Sequence, residues 1–575
     1  MEVSSLLNRN GKKSLSTRLA PYLMLTALFL TTYWLTAPEY IGDTVYYAGD
    51  VIAHTEGDQT RFWEFGHLLW RPYGYLGHSL IGGWYSNLFG DTPTQSVIRW
   101  LIHTNFVCSA AVLILLLFLL RKIADPWLSC AVVFALSCSA SFLNYSHSGA
   151  PYIPALLFSV LAVVLLTAAV QRPSGLRYVI LAGVSFCLAC ALWFPFSFTG
   201  LGMLSLVYFF PSATMPLRRS RHKQATYFLF SLASATLVLF TVGAAAEGVR
   251  NLSQLSHWVW ESGNAWSQSR TAMRAVTGLA RSMWDFGHET ILLKRWLFSD
   301  PYNPAWLGDI VMTLGTKLAA FYLGLSAAIW ILWKHSRPFF FMLLTAGFPV
   351  LLFAVLLFEP SSAERFLPVF PFACLAFATA LRAPRHYFIG IALISVLLGS
   401  TVVVNLKERR REDSSPRWAA AITRLEALKR NVRPRALALS LTFRDDLSGL
   451  PTIRPLDKRL AISLFQVSDM VTIASPRIPC WRAEFALRTL RRWASNQEVW
   501  LSERLLAKRP EAHWLWVEGD DPRIRWSDFS AVLAPLEFDA KILPGRDGFY
   551  RLAQNQANRD RIIKELGVNK SCPTS

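Results

Sequence analysis

Long apolar runs separated by short polar connections dominate the first four hundred residues. They fall at about 21–35, 101–120, 127–143, 152–170, 178–194, 196–211 and 226–246, then at about 310–333, 338–358, 365–382 and 386–405. A bilayer core about 30 Å thick takes roughly 20 apolar residues per helix, so the pattern predicts about eleven transmembrane helices. Lys12, Lys13 and Arg18 precede the first run without a small-residue cleavage site after it, which reads as an uncleaved first helix. The border between the fifth and sixth runs, LWFPFSF, contains a proline, and a re-entrant segment there would change the count by one.

The polar positions add an orientation. Arg121 and Lys122, Arg172 and Arg177, Arg218 to Lys223, Lys334 and Arg337, and Arg382 and Arg385 occupy alternate connections. The intervening turns SFLNYSHSGAPY and LWFPFSF carry no lysine or arginine. Positive charge stays on the cytoplasmic side. The N-terminus is therefore expected inside, with the two long loops, 37–100 and 247–306, and the C-terminal tail outside.

The first long loop is unusually rich in chemistry. In GDTVYYAGD, a helix would put Asp43, Tyr46 or Tyr47, and Asp50 on one face. Glu64, His67 and Arg71 repeat that spacing in RFWEFGHLLWRPYGYLGH, where Pro72 marks a new helix start. Leu76, Leu80, Trp84 and Leu88 then form an i+4 stripe suited to a helix lying in the membrane interface. An ordinary aromatic-anchored juxtamembrane loop would look similar. The 247–306 loop interleaves Arg250, Arg270, Arg274, Arg281, Lys294 and Arg295 with Trp258, Trp260, Trp266, Trp284 and Trp296. Guanidinium forks bind phosphate oxygens and indole faces stack on sugars, although a basic amphipathic surface loop has the same composition. A third outer segment, FEPSSAERFLPVFP, sets Glu359, Glu364 and Arg365 at the mouth of the tenth run. Charge there is costly unless paired or wet, which marks a site as readily as an interfacial ion pair.

Beyond Asn405 the hydrophobic runs stop. KERRRED and SSPRW read as a linker into a soluble α/β domain, 406–575, after the transmembrane domain 1–405. ALALSLTF, MVTIAS, HWLWVEG and FDAKIL have strand character, and WRAEFALRTLRRWASN and WSDFSAVLAP are helical, which predicts a partly parallel sheet. This region shows no phosphate loop, zinc spacing or nucleophile elbow.

Composition agrees with a membrane protein: 53% hydrophobic, 17% charged, with 22 tryptophans for interfacial belts. The net charge of +20 accompanies no nucleic-acid motif, and is read as topology plus affinity for anionic headgroups, with no nucleic-acid partner. Six of the eight cysteines sit in apolar runs, so Cys187 and Cys190 read as packing rather than a redox pair.

At GDTVYYAGD and ERFLPVFPF the chain resembles the GT-C superfamily of integral-membrane glycosyltransferases. It is most similar to bacterial enzymes related to protein mannosyltransferases and lipid A aminoarabinose transferase. The likeness spans about 20–405; GHLLWRPYGYL is similar to the interfacial part of the family's first loop, and Phe366 stands where the family has tyrosine. The resemblance implies an inverting transferase in the bacterial inner membrane. It would move a sugar from a polyprenyl-phosphate donor to an extracytoplasmic glycan, lipid or protein acceptor. It points to a first-loop acid as general base, here Asp43 with Asp50 as its competitor. The residues themselves make Asp50, Glu64 and His67 its polar shell and, with Arg71, Arg270, Glu364 and Arg365, candidates for substrate and donor binding. No cofactor is expected from the residues; in the family, single-sugar enzymes work without a metal while oligosaccharide-transferring ones need a divalent ion. A transporter or lipid flippase would instead place ionisable groups mid-span, and a membrane scaffold would be indifferent to Asp43.

Overall fold

The computed structural model describes residues 15–37, 43–57, 62–90, 93–172, 175–211, 218–262, 272–297, 304–357, 360, 362–410, 430–433, 436–440, 463–466, 480–506, 531–543 and 548–568. The chain divides into two compact units, Met1–Asp285 with Thr316–Ser415, and Phe286–Gly315 with Pro416–Ser575.

Apolar helices form where the runs predict them, since backbone in lipid must satisfy its own N–H and C=O groups. Among the described residues seven are long and apolar enough to cross a membrane: Pro93–Leu120, Tyr152–Val170, Ser220–Ala246, Leu307–His335, Arg337–Leu357, Ala363–Leu381 and Arg385–Glu408. Shorter apolar helices occupy Leu19–Leu35, Leu176–Leu192 and Phe194–Phe209. The protein is an integral membrane protein.

One predicted run departs from a straight span. Within 127–143 the helices Pro126–Ser137 and Ala140–Ser146 meet at 75°, and form an eighth span only if the bent pair is one. The cause is local. Ala140 N–H donates to Met283 O (3.2 Å) and Ser141 N–H to Ser282 O (3.3 Å), so carbonyls distant in sequence satisfy a new helix start. LWFPFSF also breaks: Trp193 is extended, and Phe194–Thr199 winds as a 3-10 helix around Pro195.

Several of the basic connections meet at one end of the first unit. Arg121 lies over the Tyr22 ring at 5.1 Å, Lys122 Nζ reaches Thr167 Oγ1 at 3.5 Å, and Arg172 bonds the Tyr178 hydroxyl. The opposite end carries the first loop, where the helices Thr44–Thr55 and Trp70–Phe89 pack on Pro93–Leu120. Gly149 locks them in place. Its N–H donates to Thr44 Oγ1 (2.8 Å) and its carbonyl accepts from Trp70 Nε1 (2.9 Å). A Cβ at Gly149 would come within 2.5 Å of Thr44 Cγ2, so only glycine permits this approach. Along Trp70–Phe89, Leu76, Leu80, Trp84 and Leu88 form the expected stripe and are each more than half exposed.

Among the described residues the second unit contains a five-stranded mixed sheet, β1 Leu437–Ser440, β2 Ser463–Gln466, β3 Val499–Ser502, β4 Phe538–Ile542 and β5 Phe549–Leu552, in the order β2-β1-β3-β5-β4. β1 runs parallel to β2 and β3, whereas β5 runs antiparallel to β3 and β4. Helix Cys480–Ala494 covers the sheet with Phe485, Ala486 and Trp493 against Leu437, Leu439, Val499 and Leu501. ALALSLTF and FDAKIL thus supply strands, while β2, β3 and β5 were not expected and MVTIAS and HWLWVEG lie outside the described residues.

Candidate functional site

Five separate segments converge at the first-loop end of the helical unit. The first is Asp43, which precedes the helix Thr44–Thr55 as its N-cap residue but bonds none of its N–H groups through the side chain. Among the described residues its carboxylate makes no hydrogen bond or ion pair. Burial first, then the charges of Glu64 and Glu364, push its pKa up to about 6, against the opposing pull of Arg365 and Arg71. A carboxylate that neither caps its helix nor pairs, in such a place, is poised to take up a proton.

The second segment is a clamp around Arg71. Its Nε donates to Asp50 Oδ2 at 2.6 Å and its Nη1 to Glu64 Oε2 at 2.5 Å, with the guanidinium 4.9 Å over the Tyr47 ring. The expected spacing of Asp50 and Glu64 therefore serves one buried arginine. Phe65–His67 is a 3-10 turn rather than a helix, and the helix that follows begins at Trp70, two residues before Pro72. His67 lies edge-on to Tyr47, with ring centroids 5.5 Å apart. Its Nδ1–H donates to Leu192 O (3.3 Å), which leaves Nε2 as an acceptor. Burial lowers its pKa to about 4, so it is neutral at physiological pH. The Tyr47 hydroxyl is fully buried without a hydrogen-bond partner among the described residues, and burial beside Asp43 keeps it a neutral phenol.

Two further segments, the turns that hold Tyr145 with Tyr152 and Trp193, were not marked by the sequence, and they meet the third outer segment with Glu364 and Arg365. Tyr145, from the short helix after the bend, donates to Glu364 Oε2 at 2.6 Å. Tyr145 meets Tyr152 edge-on at 4.7 Å, and Tyr152 meets Trp193 at 4.5 Å. Arg365 lies over Trp193 at 5.7 Å, with Nη2 3.7 Å from Glu364 Oε1. The two charge-free turns thus supply the aromatic floor beneath the third outer segment. Only the tyrosine and tryptophan content of SFLNYSHSGAPY and LWFPFSF could have signalled it.

Of the predicted site residues, Asp43, Asp50, Glu64, His67, Arg71, Glu364 and Arg365 come together, and Arg270 and Glu359 lie outside the described residues. In the 247–306 loop, Trp258 and Trp284 are buried as core, while Trp260 and Trp296 are exposed. Among the described residues no group of three or more His, Cys, Asp or Glu could hold a metal ion.

No protein-family model and no curated protein match the chain by sequence. Solved structures do match it in shape. One is ArnT from Cupriavidus metallidurans bound to undecaprenyl phosphate, with a TM-score of 0.51 at 9% identity over 94% of this chain and 99% of that one. Another is the archaeal oligosaccharyltransferase AglB from Archaeoglobus fulgidus in complex with an inhibitory peptide and a dolichol-phosphate, with a TM-score of 0.49 at 12% identity over 94% of this chain and 75% of that one. The chain has the fold of the GT-C glycosyltransferases, the family that its first loop and its late arginine–proline segment resemble.

Proposed function

We propose that the protein is an inverting membrane glycosyltransferase that moves a sugar from a polyprenyl-phosphate carrier to an extracytoplasmic acceptor. The observation that carries this reading is the convergence of an unpaired, proton-accepting Asp43 with Arg365 above an aromatic floor. The undecaprenyl phosphate bound by ArnT supports the donor class. A lipid-linked donor stays in the bilayer while its acceptor arrives from water, so the chemistry belongs at the membrane boundary. The exposed stripe of Leu76, Leu80, Trp84 and Leu88 supports that depth.

In the proposed reaction Asp43 takes the proton of the acceptor hydroxyl as its oxygen forms a bond to the anomeric carbon. The bond from that carbon to the phosphate oxygen breaks, its electrons pass to the phosphate, and Arg365 stabilises the departing charge. Arg71, with both neighbouring carboxylates bonded, positions the first loop rather than binding donor. Neutral His67 and the Tyr47 hydroxyl supply hydrogen bonds to the sugar. Residues 1–405 would form the catalytic domain and 406–575 an extracytoplasmic domain, with about eleven spans in a bacterial inner membrane.

Two results test this. Arg365→Lys keeps the charge but loses the planar fork. A hydrogen bond to a charged group is worth about 1.5–3 kcal/mol, so the donor KM should rise about 10- to 100-fold; an unchanged donor KM would make Arg365 an interfacial anchor only. Reporter fusions after Arg121, Arg172 and Lys223 should read cytoplasmic, and those after His147, Asn251 and Arg417 extracytoplasmic. An inward-facing tail would remove one span from the count and put 406–575 on the wrong side.

A further inference from the structure

Beside Glu64 a cleft of about 240 Å³ is lined by Glu64, Glu247, Gln254, His257, Trp258 and Ser262. Its walls follow from the local sequence. The helix Arg218–Ala246 ends at Gly248, whose φ of +80° suits glycine, and Val249 N–H closes onto Ala244 O at 2.9 Å. The chain then turns into the helix Leu252–Glu261, capped by Asn251 through its side chain to Gln254 N–H. Two bonds fix that helix against the first loop: Trp258 Nε1–H to Trp63 O (2.8 Å) and Trp63 N–H to Glu247 Oε2 (3.0 Å).

We propose that this cleft seats the sugar ring of the acceptor, and that it accepts a neutral or amino-substituted ring in preference to an anionic one. The proposal rests on the transferase reading and adds the acceptor class to it. The volume lies below the ~300–1,000 Å³ of pockets for drug-sized ligands and suits about one ring. The lining combines an indole with two carboxylates, an amide, an imidazole and a hydroxyl. These are groups that hydrogen-bond to ring hydroxyls around an apolar face. Charge sets the preference: Glu247, with Glu64 shared by Arg71, disfavours an acidic ring, and among the described residues no lysine or arginine lines the cleft. Position supplies the connection to chemistry. Glu64 forms a wall of the cleft, bonds Arg71 and acts electrostatically on Asp43, so a ring held there lies one side chain from the base.

The test uses full-length protein in lipid nanodiscs and three probes: methyl glucoside, methyl glucosaminide and methyl glucuronide. Saturation-transfer NMR should detect the first two and not the third. Gln254→Ala, on the exposed face of its helix, should lose both signals, and Glu247→Lys should gain the glucuronide and lose the glucosaminide. Undecaprenyl phosphate binding, followed by native mass spectrometry, should be retained in both variants and reports that they are folded. No saturation with any probe, an equal glucuronide signal, or full signal in Gln254→Ala would overturn the acceptor site. Wild-type protein that binds the glycosides but not undecaprenyl phosphate would sink the transferase reading instead.

Discussion

Asp43→Asn is expected to lower turnover by about 10²–10⁴, the usual loss for a removed acid–base group, while donor binding is retained. The substitution preserves shape and removes basicity. Since burial raises the carboxyl to about 6, the wild-type enzyme should lose rate about tenfold per pH unit on the acid side of that value. At neutral pH the proposed base is ionised. The same shift has a consequence for stability. A carboxyl whose pKa is higher folded than unfolded favours folding at low pH, and that contribution is lost as pH rises from the unfolded value, 3.8, through about 6. The Asn variant should therefore be no less stable than wild type at pH 7, which thermal unfolding in detergent would show. An inactive but stable variant separates a catalytic role from a structural one. If Asp50→Asn abolishes turnover while Asp43→Asn retains most of it, the base is the second carboxylate.

Arg71→Leu should act in the opposite manner, mainly on folding. It would leave Asp50 and Glu64 as partly buried acids without their shared cation. Breaking a buried pair by removing one partner typically costs about 3–5 kcal/mol, and here one arginine serves two acids. Thermal unfolding should reveal the loss. The triple change Arg71→Leu, Asp50→Asn, Glu64→Gln should recover much of it, because neutral amides do not demand a cation. If Arg71→Leu unfolds like wild type but fails to bind donor, Arg71 is a phosphate ligand and not a positioning residue.

These two residues also mark what was legible in the sequence. The helical spacing read from Asp43 through Tyr46 or Tyr47 to Asp50 survives into the helix Thr44–Thr55, where Tyr47 and Asp50 both meet Arg71. Glu64 and Arg71 meet as their spacing promised, although through a 3-10 turn in place of a continuous helix. Tyr145, Tyr152 and Trp193 escaped notice for a physical reason. They stand in apolar turns whose role depends on the 75° bend after Ser137, and carbonyls at 282–283 stabilise that bend from far along the chain. No local pattern encodes such a partner. In the second unit, VWLS and SLFQ are strands of only four residues whose neighbours in the sheet are distant, and a run that short has too little period to read.

Mass spectrometry of envelope glycans and lipids tests the central claim most directly, in cells lacking the protein and complemented with either wild type or Asp43→Asn. Wild type, but not Asp43→Asn, should restore a one-sugar mass increment on an envelope acceptor and deplete the corresponding polyprenyl-phosphate sugar. Identical envelopes in all three strains, or full restoration by Asp43→Asn, would contradict it.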